Sequence, residues 1–450
     1  MSTADKTSRR EFIRNAAATA ALTAGVAAVA KSSVYSLAPS RVIGAADRIR
    51  IGHVGLGSQG FGAHVRLLKQ QKDANNTEQV AICDLYGRRL RQSGAELGLA
   101  EANWYLDYRK LLDRKDVDAI VIATADNWHA QIALDAMDAG KHVYCEKPMC
   151  KTLEETFQLF DKVKKTGRKF QIGSQGTSDP QYYKVAEIVK AGKIGKLIMG
   201  QHSYNRGDNR IGEWNSYGDN PFKEPHSKAG PQGKGDDYID WETFRKGAEP
   251  AAWDPDRFFR WRKYWAYGSG LVGDLMPHRL HPLMIAMAVP LVGEQGWPRR
   301  VSSGGGLYVQ KKHPEREGAD REVPDFTYLT VDFDDFSMII MSSSITEQGM
   351  RPMIRGNKAT IFFSGDNAQL TPERAYADEV EAETVALESN GEPIEAHQKN
   401  WFDSIRENKE PNGHIDLAAR VQVAISLGER AYRESKTFTF DPATRKSNPA

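Results

Sequence analysis

Four short strand-like runs recur in the first third of the chain: Arg48–Val54, Gln79–Cys83, Val117–Ala123 and His142–Cys145. Each is the length of a strand. The stretches between them have helical spacing, through His64, Leu67 and Leu68 and again over Ala130–Ala139, where Gly140 closes the helix. Strand and helix in alternation predict an α/β fold built on a doubly wound parallel sheet. From Gly176 the pattern changes. A helix is predicted over Pro180–Gly192 and a strand over Leu197–Tyr204. Strands return at Phe326–Phe333 and Met338–Ser343 around a turn at Asp334-Asp335, and another pair flanks Gly356-Asn357. These read as an antiparallel meander whose outer face suits a homo-oligomer contact. Asp416 is placed to cap a last helix with Leu417, Val421, Ala424 and Leu427 on one face, and the chain after Phe440 reads as a loose tail.

The resulting division is a first domain over 48–175, a second over 176–440 and a tail over 441–450. Two domains suit 450 residues, because one core rarely grows past roughly 250–300. Between the strand at Leu197 and the helix that carries His278, residues 205–268 form a long irregular stretch rich in Trp, Tyr, Arg and Asp. It includes Arg206, Trp214, Tyr238, Trp241, Trp253, Arg260, Trp261, Arg262, Tyr264 and Trp265. Each aromatic, taken singly, reads first as a packing anchor. The stretch as a whole reads as a substrate lid, since flat rings stack on sugar C–H faces and Arg and Asp bind hydroxyls.

Composition narrows the class. The formal charge of +2 leaves no electrostatic footprint for nucleic acid or an anionic membrane surface. No apolar run reaches the ~18 uninterrupted residues a membrane span needs. The three cysteines, Cys83, Cys145 and Cys150, are too few and oddly numbered for a disulfide framework, and no spacing resembles a metal site. The N-terminal residues form a separate signal. Ser8-Arg9-Arg10-Glu11-Phe12-Ile13-Arg14 is a twin-arginine motif, Asn15–Ala30 is alanine-rich, and Ala28-Val29-Ala30 is a cleavage site. Residues 1–30 are read as a leader and 31–47 as a linker. The expected partner is the twin-arginine export machinery, and the expected location is the periplasm or cell surface.

The candidate chemistry lies at the ends of the predicted strands. Gly55-Leu56-Gly57-Ser58-Gln59-Gly60 follows the first strand and opens a helix, the setting a G-x-G-x-x-G dinucleotide loop requires. Phosphates would sit at the helix N-terminus. Asp84 ends the second strand, where a carboxylate binds the ribose hydroxyls of NAD. It disfavours the extra phosphate of NADP, although Arg88 and Arg89 behind it could accept one. Thr124, Asn127, His129, Glu146 and Lys147 occupy the loops after the third and fourth strands, where such sheets meet their ligands.

Several stretches together resemble the Gfo/Idh/MocA oxidoreductase family: G-L-G-S-Q-G at 55–60, A-I-V-I-A-T at 119–124, N-W-H at 127–129, A-G-K-H-V-Y-C-E-K-P at 139–148, Q-I-G-S-Q at 171–175, G-D-L-M-P-H at 273–278 and Lys399–Arg406. The resemblance implies a Rossmann domain followed by an α/β domain with an open, mostly antiparallel sheet. It also implies NAD(P)-dependent oxidation or reduction of carbohydrates. It makes Lys147 the catalytic lysine and Asp274 and His278 the D-x-x-x-H pair. Four-residue spacing on one helix would aim both at the same substrate. His278 is the expected general base, since imidazole titrates near working pH, and His281, three positions on, is the alternative. Arg206, Trp261, Arg262 and His281 are the candidate substrate contacts.

The leader adds an expectation. An exported enzyme without free nicotinamide nucleotide around it must hold its NAD and return the hydride within each cycle. That favours redox-neutral chemistry on a glycoside. The alternatives are a sugar or inositol dehydrogenase with exchangeable NAD(P), and a non-catalytic sugar-binding or sensory protein.

Overall fold

The computed structural model describes residues 44, 47–207, 219–310, 321–389 and 391–450. The leader, most of the linker and Trp214 lie outside the described residues. Both sheets belong to one compact unit.

The first sheet has six parallel strands: β1 (Ile49–Val54), β2 (Thr77–Cys83), β3 (Trp104–Tyr105), β4 (Ala119–Ile122), β5 (His142–Glu146) and β6 (Phe170–Gly173), in the order β3-β2-β1-β4-β5-β6. This is the doubly wound order, whose strand order reverses between β1 and β4. Strands β4 and β5 are buried at every position, which is why they read as continuous apolar runs instead of alternating ones. The second sheet has ten strands: β7 (Leu197–Asn205), β8 (Arg300–Gly306), β9 (Phe326–Asp332), β10 (Ser337–Ser343), β11 (Met353–Gly356), β12 (Ala359–Ser364), β13 (Asn367–Pro372), β14 (Glu383–Ala386), β15 (Phe438–Asp441) and β16 (Lys446–Pro449). Its order is β14-β13-β12-β11-β7-β10-β9-β8-β15-β16. Among the described residues only β7 and β10 of this sheet pair in parallel, so the sheet is mostly antiparallel as expected. In β9 the alternation buries Thr327, Leu329 and Val331 and turns Tyr328 outward.

Four local expectations are corrected. The helix after β4 begins at Asp126, so Asn127 and His129 lie in its first turn and not in a loop. Asp274 and His278 do not share a helix. One helix ends at Asp274 and the next runs Pro277–Ala286, because Pro277 lacks the N–H to continue the ladder and suits a first turn. The tail is not loose: β15 and β16 form a hairpin on the edge of the second sheet, and Phe438 and Phe440 are buried there. Asp416 is not a cap. His414 precedes the helix Ile415–Glu434, and Asp416 sits in its first turn, where Lys164 reaches it at 2.6 Å.

Nor does the chain divide cleanly at 175. The helix Ile394–Glu407 belongs by sequence to the second domain. Its Trp401, Phe402 and Ile405 pack with Ile49, Ile51, Leu68, Ala119, Val121 and Tyr144 of the first.

The irregular stretch beyond residue 218 contains short helices at Trp241–Arg245 and Pro255–Phe259. Its Trp241, Phe244, Phe258, Phe259, Tyr264 and Tyr267 form one buried cluster with Tyr86 of the first domain. Backbone bonds from Gly87 to Tyr238 and from Asp240 to Leu85 stitch it to the end of β2. Most of its aromatics are therefore packing anchors, and the segment is a fixed wall over the carboxyl ends of β1 and β2.

Candidate active site

The site begins with the turn after β1. Gly55 has φ +93°, and a Cβ there would lie 2.5 Å from the Ala123 carbonyl; one on Gly60 would run into the Gly55 carbonyl. Gly57 is different: the nearest atoms to a Cβ there belong to the Arg89 guanidinium, at an ordinary contact distance of 3.6 Å. The loop thus packs tightly beneath and leaves its Gly57 face open, the arrangement that lets a pyrophosphate approach backbone N–H groups. The helix Gly60–Arg66 follows and runs on as Leu67–Gln70. Asp84 holds this loop in shape. Its carboxylate accepts from Leu56 N–H at 2.6 Å and from Tyr86 N–H at 2.9 Å, so it is not a helix cap. Burial pushes its pKa up, against the Arg89 charge and the two backbone donors. A carboxylate has about four lone-pair directions, so acceptor capacity remains for ribose hydroxyls.

A cavity of about 1580 Å³, its open mouth included, runs from this loop to the second domain. Gly55, Gly57, Ser58, Gln59, Asp84, Thr124, His129, Glu146, Lys147, Arg206, Trp261, Arg262 and His278 all line it. Gly60 supports the loop from beneath. Asn127 does not line the cavity; its N–H donates to the Tyr267 carbonyl and its own carbonyl accepts from Lys246. His129 Nδ1–H donates to the Pro148 carbonyl at 2.7 Å, and its Nε2 lies 3.2 Å from the Thr124 carbonyl, so the ring ties the turn after β4 to the turn after β5.

Glu146 is the last residue of β5 and not part of the loop, Lys147 is the first residue beyond it, and the two do different work. Glu146 accepts from Gln59 at 3.0 Å and from His64 at 2.9 Å. Burial alone would raise its pKa, but the His64 bond and charge, with Lys147 and Gln59, hold it down to about 2. Lys147 Nζ donates to the Asp274 carbonyl at 2.8 Å and to Asp274 Oδ1 at 2.9 Å, and the Arg262 Nε–H lies 3.3 Å from the same oxygen. Burial works to raise the Asp274 pKa, and the Lys147 and Arg262 charges overcome it, leaving the carboxyl well below its usual range.

His278 is oriented by a residue that no motif marks. Its Nδ1–H donates to Glu392 at 2.8 Å, and its ring stacks on Tyr204 at 4.6 Å. Because Nδ1 carries the proton, the neutral ring keeps a lone pair on Nε2. Burial lowers the His278 pKa below 6.5, Lys147 adds to this, and the Glu392 bond opposes it. Burial raises the Glu392 pKa, but His278 and Arg279 bring it down to about 2. Tyr204 also donates to Glu392, at 3.2 Å, and Arg206 donates to the Tyr204 hydroxyl at 3.2 Å. His281 lies outside the cavity. It is buried, its Nδ1–H donates to the Pro277 carbonyl at 3.0 Å, and burial lowers its pKa to about 4. The geometry therefore favours His278 over His281 as the titrating group of the site. Arg262 stacks over Trp261 at 4.1 Å on the cavity wall.

The sequence pattern missed Glu392, Tyr204, Asp126 and the Arg89–Asp219 pair. Asp126 lines the cavity and accepts from Ser269 N–H at 2.9 Å; it was legible as a residue at a strand end. Tyr204 was visible as the end of a predicted strand. Glu392 lies in a connection with no local signal.

Comparison with known proteins bears on the fold that carries this cavity. Residues 49–174 match the model of the Gfo/Idh/MocA family, an oxidoreductase family with an NAD-binding Rossmann fold. Curated relatives include glycosyl hydrolase family 109 protein 1 of Shewanella sp. (strain ANA-3), 30% identical over 236 residues, covering 46% of this chain and 50% of that protein. The alpha-N-acetylgalactosaminidase of Shewanella oneidensis is 30% identical over 234 residues with the same coverage. The chain spans about half the length of the curated relatives it matches. Levoglucosan dehydrogenase, solved in complex with NADH and levoglucosan, superposes with a TM-score of 0.61 at 18% identity, covering 90% of this chain and 99% of that one, a likeness of fold. Residues 49–174 thus match the NAD-binding Rossmann fold of the Gfo/Idh/MocA family model, in a chain whose fold is like that of levoglucosan dehydrogenase.

Proposed function

We propose that this protein is an exported oxidoreductase that uses a tightly held NAD to oxidise a carbohydrate hydroxyl, and that it does so transiently while a glycosidic bond is broken or remade. The observation that carries the reading is the convergence of Lys147, backed by Asp274, and His278, backed by Glu392, on one cavity that opens onto the glycine loop. The glycosidase names among the relatives support the redox-neutral form, and the twin-arginine motif supports export of a folded, loaded protein.

NAD held against Gly57 and Asp84 would take the hydride from the hydroxyl-bearing carbon and return it later in the cycle. The chain's own residues manage the proton. His278 Nε2 accepts it from the substrate hydroxyl, and the imidazolium so formed is stabilised through Nδ1–H by Glu392. Lys147 donates to the oxygen as negative charge grows on it. Asp274 fixes that ammonium in place through two bonds, from its carboxylate and from its own carbonyl. Once a ring carbon is oxidised, the hydrogen on its neighbour becomes acidic, and a base removes that proton. The glycosidic oxygen beyond departs with a proton as an alcohol. Water or a second sugar hydroxyl then adds across the carbon–carbon double bond left behind, before the ketone is reduced again. Re-reduction reverses the proton movement through the same pair. Arg206, Trp261 and Arg262 are the contacts proposed for the sugar.

The test is a panel of glycosides with product analysis and bound-cofactor absorbance read together. Lys147→Ala should slow cofactor reduction by ~10²–10⁴-fold. Unchanged reduction in that variant would refute the mechanism. The likeness of fold to a sugar dehydrogenase favours a second reading, in which NAD(P) exchanges freely and turnover requires added nucleotide.

A further inference from the structure

Three arginines on the helix after Asp84 are each tied to an aspartate of the segment that follows residue 218: Arg88 to Asp237 at 2.7 Å, Arg89 to Asp219 at 2.9 Å, and Arg91 to Asp236. Two of these pairs lie away from the cavity. Arg89 and Asp219 both line it. The Arg89 guanidinium stands next to Gly57, and lies 5.7 Å from the Tyr86 ring centre, 5.4 Å from that of Phe258 and 5.9 Å from that of Phe259. Arg89 Nη2–H donates to the Asp219 carboxylate, which His226 Nε2 approaches at 3.5 Å.

We propose that Asp219, a residue of the second domain, sets the choice of NAD over NADP by occupying Arg89. The proposal rests on reading the glycine-loop end of the cavity as the dinucleotide site. Asp84 is not a sufficient discriminator in this chain, because an arginine stands beside it. Arg is the side chain best suited to bind a phosphate in two-point fashion, and an unengaged Arg89 would welcome the 2′-phosphate of NADP. Here its charge is compensated from two sides, by Asp84 and by Asp219. A 2′-phosphate, carrying about −1.5 to −2 charges near neutral pH, would have to displace Asp219 and then stand between two carboxylates. The ribose hydroxyls of NAD need only Asp84 and leave the Arg89–Asp219 pair intact.

The experiment is calorimetric titration of the full-length, nucleotide-stripped protein with NAD and with NADP. Wild type should bind NAD more tightly. Asp219→Asn keeps the side chain's shape and removes its charge. It should raise NADP affinity by ~10-fold or more, the scale of one charge-assisted hydrogen bond, with little change for NAD. Adding Arg89→Gln to that variant should abolish the gain. An unchanged NADP-to-NAD ratio in Asp219→Asn overturns the proposal. So does an equal weakening of both nucleotides, which would make Asp219 a fastener of the segment and not a selector. If wild type binds neither nucleotide, the dinucleotide reading itself fails and takes the proposal with it.

Discussion

Lys147 meets Asp274 twice, at the carboxylate and at the backbone carbonyl, so its ammonium is held from two points. Lys147, Asp274 and His278 were legible because each sits in a short local motif. Glu392 was not: its role depends on a contact across 114 positions of chain, and nothing around it signals chemistry. His278→Asn should lower turnover by ~10²–10⁴-fold and leave nucleotide binding intact, measured by glycoside turnover beside NAD titration. The pH dependence follows from the burial of His278. A base must be neutral to accept a proton, and a pKa below 6.5 keeps His278 neutral at pH 7. The acidic limb of kcat/KM should therefore lie below pH 6.5. Glu392 favours the protonated ring, so Glu392→Gln should move that limb to still lower pH as well as slow the reaction. A limb that stays in place would deny Glu392 its part.

The alternating elements of the first domain were readable because the middle strand β4 is apolar along its whole length, glycine follows β1 at once, and Gly140 closes the helix before β5. The segment beyond residue 218 was harder. Tryptophan and tyrosine make equally good sugar platforms and core anchors, and only packing distinguishes Trp241, buried beneath Phe244, from Trp261, which lines the cavity. The break at Pro277 was legible in principle from proline's missing N–H. The helix Ile394–Glu407 crosses from one domain to the other, and its sequence shows an amphipathic helix without showing which core it enters. Trp401→Ala should cost about 3–5 kcal/mol in chemical denaturation, as expected for deleting a fully buried aromatic. Since Trp401 joins the first core through a helix of the second domain, both sheets should still unfold in one transition. Two separated transitions would show that this helix does not couple them.

Across the whole molecule, histidines are buried in both domains. Burial lowers His53 and His142 to about 3 and His281 and His397 to about 4. Each binds a proton more readily unfolded than folded. The native state therefore keeps its full advantage above about pH 6.5 and loses it as pH falls toward 3–4, by up to about 1.4 kcal/mol per pH unit for each group. Thermal melts should show Tm dropping steeply between pH 6 and pH 4. In the proposed cycle both domains take part: one contributes the dinucleotide loop and Lys147, the other His278 and its carboxylate, and the cofactor stays put between turnovers. The most direct test is the near-ultraviolet band of reduced nicotinamide, followed while a cleavable glycoside is mixed with purified protein and no nucleotide is added. A band that rises and then decays as product appears is the predicted result. No band, with turnover only after NAD is supplied, would contradict it.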